Sequence, residues 1–167
     1  MDINNKNQEF INRVNNDQDL KNRRDSLVNG QHPEILVITC SDSRVVPEMI
    51  FNSSLGDIFV IRTAGNVINE GELATVEYAI EHLKVKQIIV LGHTHCGAIH
   101  ASIHNEQSKY MDPILKRIKR NIGNICDELE ASKINAYKET EYIKEKFPEY
   151  QGTIEYKIYD IENSRVY

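Results

Sequence analysis

From residue 34 to residue 91 the chain repeats one pattern: a short unbroken apolar run, a polar turn, then apolar residues recurring every three or four positions. Glu34 to Thr39 carries the run Ile-Leu-Val-Ile, too short for a helix, and reads as a strand buried on both faces. Asp57 to Arg62 and Gln87 to Leu91 read as second and third strands of the same kind. Between them, Pro47 suits the first turn of a short helix through Met49 and Ile50. Leu73, Val76, Ala79, Ile80 and Leu83 space out a longer helix over Gly71 to Leu83. Buried strands alternating with helices imply a parallel sheet with right-handed crossovers.

Upstream, Phe10, Ile11, Val14, Leu20, Leu27 and Val28 form a looser helical pattern that Gly30 and Pro33 end, predicting one or two N-terminal helices. Downstream, Met111 to about Ser132 and Ala136 to Lys146 read as helices. Ile154 to Ile161 alternates apolar and polar residues, and the turn Glu162-Asn163-Ser164 before Arg165-Val166-Tyr167 predicts a closing hairpin at a sheet edge. The expected fold is one α/β domain over 1–167: a mostly parallel central β-sheet flanked by helices, an antiparallel edge strand and an N-terminal helical arm. The arm is expected over 1–30, the core over 34–104, further helices over 111–148 and the closing strands over 152–167.

Composition narrows the function. The 167 residues are 40% hydrophobic and 27% charged, as in an ordinary globular protein. A net charge of -5 argues against nucleic acid or an anionic membrane as partner, since both attract clustered positive charge. The basic run Lys116, Arg117, Lys119, Arg120 sits among Ile114, Leu115, Ile118 and Ile122 at helical spacing and reads as a solvated helix face. Met1 to Asn16 has no apolar signal region and no stretch approaches a membrane span, so a cytoplasmic location is expected. Three cysteines do not all pair internally, and reduced thiols raise the question of metal ligation.

In parallel sheets ligands sit at the carboxyl ends of the strands, where Cys40 and the segment Gly92-His93-Thr94-His95-Cys96-Gly97 both fall. Cys40, His93 and Cys96 brought together would make a three-ligand site with one open position, the arrangement of catalytic zinc. The bland alternative is a small buried Cys40 beside a core histidine and an inert thiol. Asp42 and Arg44, at i and i+2 beside Cys40, suit a charge-assisted pair or a structural salt bridge. His95 reads as a surface or loop hydrogen-bond partner. His100 and His104 have chelating spacing if helical, but no third ligand is evident. Cys126 falls in a helical pattern and reads as a core thiol, while His32 and His82 have no pattern that lifts them above surface or core roles.

Cys40-Ser41-Asp42-Ser43-Arg44-Val45, then Gly56 to Arg62 and Ala64-Gly65-Asn66, then Gly92 to Gly97, together resemble the β-class carbonic anhydrases over about Asn29 to Ala101. Tyr159-Asp160-Ile161 resembles that family's closing strand. The resemblance implies one Zn2+ per chain held by Cys40, His93 and Cys96, with Asp42 and Arg44 as a catalytic dyad. It implies hydration of carbon dioxide to bicarbonate by zinc-bound hydroxide. Gln31, Phe59 and Tyr78 resemble the substrate pocket of the plant-like branch, with Gln31 supplied by the neighbouring subunit, and the Gly97 N–H would support substrate. A homodimer, or a higher oligomer of dimers, follows from that shared pocket. Thr63 and Ala98 depart from the usual residues of the pattern, and the segment after His104 is short for it. Two further readings use the same residues: a carbonyl sulfide or carbon disulfide hydrolase, and a noncatalytic zinc-binding module.

Overall fold

Leu36 to Cys40 are all buried, and they form strand β1 (Ile35–Cys40) at the heart of a computed structural model that describes residues 1–167. The remaining strands are β2 (Ile58–Thr63), β3 (Gln87–His93), β4 (Thr153–Asp160) and β5 (Arg165–Val166). They form one five-stranded sheet in the order β2-β1-β3-β4-β5, parallel throughout except for β5, which runs antiparallel to β4. The expected fold class is therefore observed, with the antiparallel strand at the edge.

The chain leaves β1 through helix α3 (Pro47–Ile50) to reach β2, then crosses back through α4 (Glu70–Glu81) to lay β3 on the other side of β1. That reversal opens a crevice between the carboxyl ends of β1 and β3, the place where open parallel sheets bind ligands. Register sets its level: Thr39 pairs Leu91 and Cys40 pairs Thr63, so Cys40 and His93 emerge from the same edge.

One face of the sheet is thickly covered. Leu36, Ile38, Ile88 and Val90 pack with Val76 and Ala79 of α4 and with Ala136 and Ile143 of α7 (Glu128–Lys146). On the other face Val37, Ile89 and Leu91 meet Val45 and a set of half-buried side chains, and Ile35, Val37, Phe51, Ile58 and Ile89 line an open cavity of about 590 Å³. The N-terminal arm is two helices, α1 (Ile3–Asn16) and α2 (Gln18–Ser26), joined at Asp17, whose carboxylate caps α2 by accepting from the Leu20 N–H. Of the arm's apolar residues Val14 is buried, whereas Phe10 and Ile11 remain 40% exposed.

The downstream helices differ from expectation. α5 (Gly97–Ile103) is followed by α6 (Asp112–Ile122), which ends at Gly123 in a left-handed conformation (φ 60°). Asp127 then caps α7, its carboxylate accepting from the Glu130 N–H at 2.8 Å. The break thus lies at 123–127 rather than near residue 133, because a glycine stop and an aspartate start outweigh the apolar periodicity across them. Cys126, in that connection, is exposed rather than a core thiol. No helix is long and apolar enough to cross a membrane.

Candidate metal centre

Three buried ligand atoms converge at the crevice: the sulfurs of Cys40 and Cys96 and a ring nitrogen of His93 lie within 4.8 Å of one another. Cys40 ends β1 and His93 ends β3, while Cys96 immediately precedes α5. The loop between His93 and Cys96 is pinned to the closing strand, as the Thr94 N–H donates to the Tyr159 carbonyl (3.0 Å) and the Thr94 hydroxyl accepts from the Ile161 N–H (3.0 Å). His95 turns that loop in a left-handed conformation (φ 55°), which lets Cys96 face back toward Cys40.

Nδ1 of His93 lies 2.8 Å from the Thr94 carbonyl oxygen, so that nitrogen carries the proton. Its Nε2 keeps the lone pair, is buried, and has no hydrogen-bond partner. A buried acceptor without a partner costs about 1–3 kcal/mol, and a cation among the three ligand atoms would satisfy it. The donor set, two sulfurs and one imidazole in a closed pocket, fits Zn2+.

The two sulfurs sit 4.0 Å apart. Cys40 is the acidic member of the pair: the Cys96 thiol hydrogen bond lowers it, burial opposes this, and His93 and the Asp42 and Gly65 N–H groups lower it further. Cys96 is pushed up by the same bond and by burial. A dication would draw both sulfurs into the thiolate form.

Beside the sulfurs, Arg44 grips Asp42 with two parallel bonds, Nε to Oδ1 at 2.9 Å and Nη2 to Oδ2 at 2.7 Å, while its own N–H donates to Oδ1 at 2.9 Å. These bonds, the side-chain ones foremost, hold the Asp42 carboxyl down to about 2. Arg44 also donates to the His95 carbonyl (3.1 Å), and Arg62 donates to the Asp42 carbonyl (2.8 Å), so the dyad is tied to the loop between His93 and Cys96 and to strand β2.

The other expected pocket residues are elsewhere in this chain. Phe59 pairs with Leu36, four residues back along the sheet from the Cys40 level, roughly 13 Å at strand rise. Its ring meets Tyr78 at 6.1 Å, and Tyr78, 44% exposed, stacks on His82. Gln31 is exposed in the connection before β1, at the opposite end of that strand from Cys40. A Cβ on Gly97 would meet nothing within 4 Å, so open space adjoins the start of α5.

Other expectations resolve individually. His95 is exposed with Nε2 3.0 Å from a Glu162 oxygen, the loop-partner role expected of it. The rings of His100 and His104 lie 4.1 Å apart and tilted, but His100 binds Glu128 and His104 the His100 carbonyl, so they do not form a chelate. Arg117 corrects the picture of a wholly solvated basic face, since it turns inward to the fully buried Glu139. From sequence Asn121 and Glu139 read only as helix and Asn135 as part of the connection between two helices; the available signal is the polar residues at Ser132, Asn135 and Glu139 on the stripe that ends in Ile143.

A sequence profile of the carbonic anhydrase family matches residues 35–165. The carbonic anhydrase of Mycolicibacterium smegmatis is 40% identical over 126 residues, 68% of this chain and 61% of that protein. That of Synechocystis is 56% identical over 81 residues, 45% of this chain and 30% of that protein. The chain thus spans between about a third and three fifths of the length of these relatives. Among solved structures, the β-carbonic anhydrase CafA of Aspergillus fumigatus superposes with a TM-score of 0.87 at 28% identity, covering 97% of this chain and 86% of that one. One of two tetrameric β-carbonic anhydrases from Sordaria macrospora gives 0.76 at 26% identity, covering 99% and 93%.

Proposed function

The chain belongs to the β-carbonic anhydrase family, and on that premise we propose that it catalyses the reversible hydration of carbon dioxide to bicarbonate and a proton. Cys40, His93 and Cys96 would hold one Zn2+. The carrying observation is the buried, unpartnered Nε2 of His93 facing two sulfurs, with Nδ1 committed to the Thr94 carbonyl. When bound, zinc supplies the Lewis acidity that makes hydroxide available near neutral pH.

Asp42 does the orienting. A carboxylate offers about four acceptor sites, and Arg44 occupies three of them, two on Oδ1 and one on Oδ2. The remaining lone pair on Oδ2 accepts a hydrogen bond from the attacking hydroxyl and aims its oxygen at carbon dioxide. With three of its four acceptor sites taken by Arg44, Asp42 would serve as an acceptor beside a bound Zn2+ rather than as a ligand, the arrangement of the plant-like branch. The Gly97 N–H, beside open space, is suited to steady a bicarbonate oxygen.

Gln31, Phe59 and Tyr78 complete the substrate pocket from a second copy in a homodimer. Their distance from the ligands of their own chain supports that arrangement, as do the thinly covered sheet face and the exposed apolar residues of the arm. The test is stopped-flow carbon dioxide hydration by zinc-loaded protein beside Asp42→Ala and Cys96→Ser. Activity that is absent at pH 7 to 9 sinks the anhydrase reading, and carbonyl sulfide turnover exceeding carbon dioxide turnover replaces it with the hydrolase. Well under one zinc per chain removes both.

A further inference from the structure

Behind the metal centre lies a hydrogen-bonded chain that ends on a ligand sulfur. The Gly65 N–H donates to Cys40 Sγ at 3.4 Å. The Gly65 carbonyl accepts from Asn135 Nδ2 at 2.9 Å, and Asn135 is fully buried in the middle of α7. Asn135 Oδ1 accepts from Asn121 Nδ2 at 2.9 Å, which fixes which way the Asn135 amide faces. Asn121 donates also to Glu139 Oε1 (2.7 Å), and Arg117 grips both oxygens of that carboxylate at 2.8 and 3.1 Å. Glu139 Oε2 accepts in turn from the Ile68 N–H at 3.3 Å.

The network therefore holds the turn Ala64–Asn66 from both sides: Asn135 on the Gly65 carbonyl, Glu139 on the Ile68 N–H just beyond it. Gly65 itself is left-handed (φ 64°), a conformation that neighbouring groups must maintain. Fold stability alone is a weak reason for burying these groups, since apolar side chains of similar volume often replace a buried ion pair at no cost in stability. A hydrogen bond to a ligand sulfur, by contrast, depends on tenths of an ångström.

We propose that Asn135, oriented by Asn121 and Glu139, is a positioning residue for the metal centre, setting the Gly65 N–H hydrogen bond to Cys40 and through it the donor strength of that sulfur. The proposal rests on Cys40 being a metal ligand. Removing supports of this kind typically weakens metal binding about 10- to 100-fold.

The test compares wild type, Asn135→Leu, Asn121→Ala and Ile143→Ala, each loaded with zinc for chelator competition and with cobalt for absorption spectroscopy. Ile143 is buried in the same helix and takes no part in these hydrogen bonds, so its variant reports general damage to α7. Asn135→Leu should bind zinc at least ~10-fold more weakly, because the Ala64–Asn66 turn no longer holds Cys40 in place, and should shift the sulfur-to-cobalt charge-transfer band to lower energy, because a sulfur stripped of its N–H partner gives up electron density more readily. Asn121→Ala should shift both in the same direction by less, and it carries the test if Asn135→Leu does not fold. Ile143→Ala should lose thermal stability with affinity and band unmoved. Wild-type affinity and band in both Asn variants, or equal shifts in Ile143→Ala, overturn the inference. A wild-type protein that binds neither metal with a thiolate band instead overturns the ligand assignment on which it rests.

Discussion

His93 contributes two nitrogens with opposite commitments, and the difference between them sets an expectation for metal removal. Nδ1 is held by a backbone carbonyl, whereas buried Nε2 gains a partner only when a cation joins the sulfurs. Zinc should therefore bind the folded chain in strong preference to the unfolded one. At free zinc about 100-fold above the dissociation constant, that preference stabilises the fold by roughly 2.7 kcal/mol. Stripping the metal should lower the melting temperature by several degrees, and the loss should vanish in His93→Ala. Asp42 and Arg44 make a second expectation, in which geometry and charge separate. An ordinary aspartate is ionised at pH 7, so Arg44→Ala leaves the Asp42 charge in place and removes its aim. The hydration rate at pH 7 should fall by about 10- to 100-fold, the cost typical of an orienting partner. The sign of the linked stability is also set: the folded carboxyl lies at about 2 against ~3.9 unfolded. The pair's contribution is then whole above about pH 5 and lost as pH falls from there toward 2. Urea titrations of wild type and Arg44→Ala should accordingly converge between pH 5 and 2, with the difference constant above.

Among the elements, the turn Ala64–Asn66 is the most demanding. A Cβ on Gly65 would come within 2.7 Å of Ile118 Cδ1 and 3.2 Å of Ala98 Cβ, in a backbone conformation that only glycine adopts freely. Gly65→Ala combines left-handed strain with overpacking and should cost about 2–4 kcal/mol in urea unfolding. Ala98 is relevant here, because the residue that departs from the family pattern is one the turn packs against. Thr63, the other departure, donates its hydroxyl to the Val67 carbonyl at 2.7 Å and closes the same turn. The strands themselves were legible in sequence because β1 and β3 are buried on both faces and leave unbroken apolar runs. Their ends were legible too, and with them the meeting of Cys40 with His93 and Cys96 across more than fifty residues. What was not legible depended on partners remote in sequence. Asn135 and Glu139 look like ordinary polar residues until Gly65 and Ile68, about seventy residues earlier, are packed against them. The 123–127 break was missed for a local reason: Gly123 and Asp127 interrupt a periodicity that otherwise reads straight through.

At the scale of the whole molecule, a parallel sheet needs cover on both faces, and this one has thick cover on a single face. A second copy seated on the other face would shield the half-buried side chains there and the apolar residues of the arm. Phe59 and Tyr78 pack on the covered face beside edge strand β2, so the pairing would have to include that edge for them and Gln31 to serve a centre that is not their own. Pairing of this kind is isologous, so each copy gives what it receives. That reciprocity makes the shared pocket testable without any structure of the dimer. Cys96→Ser removes a ligand but keeps Tyr78; Tyr78→Ala keeps the ligands but spoils the pocket it lends. Each variant alone should be nearly inactive. When the two are unfolded together and refolded at equal amounts, random pairing makes half of the dimers mixed, and each mixed dimer holds one site with both parts intact. Activity should return to roughly a quarter of wild type. Pockets built within one chain would yield only the mean of the two variants, and a chain that sizes as a monomer would yield the same.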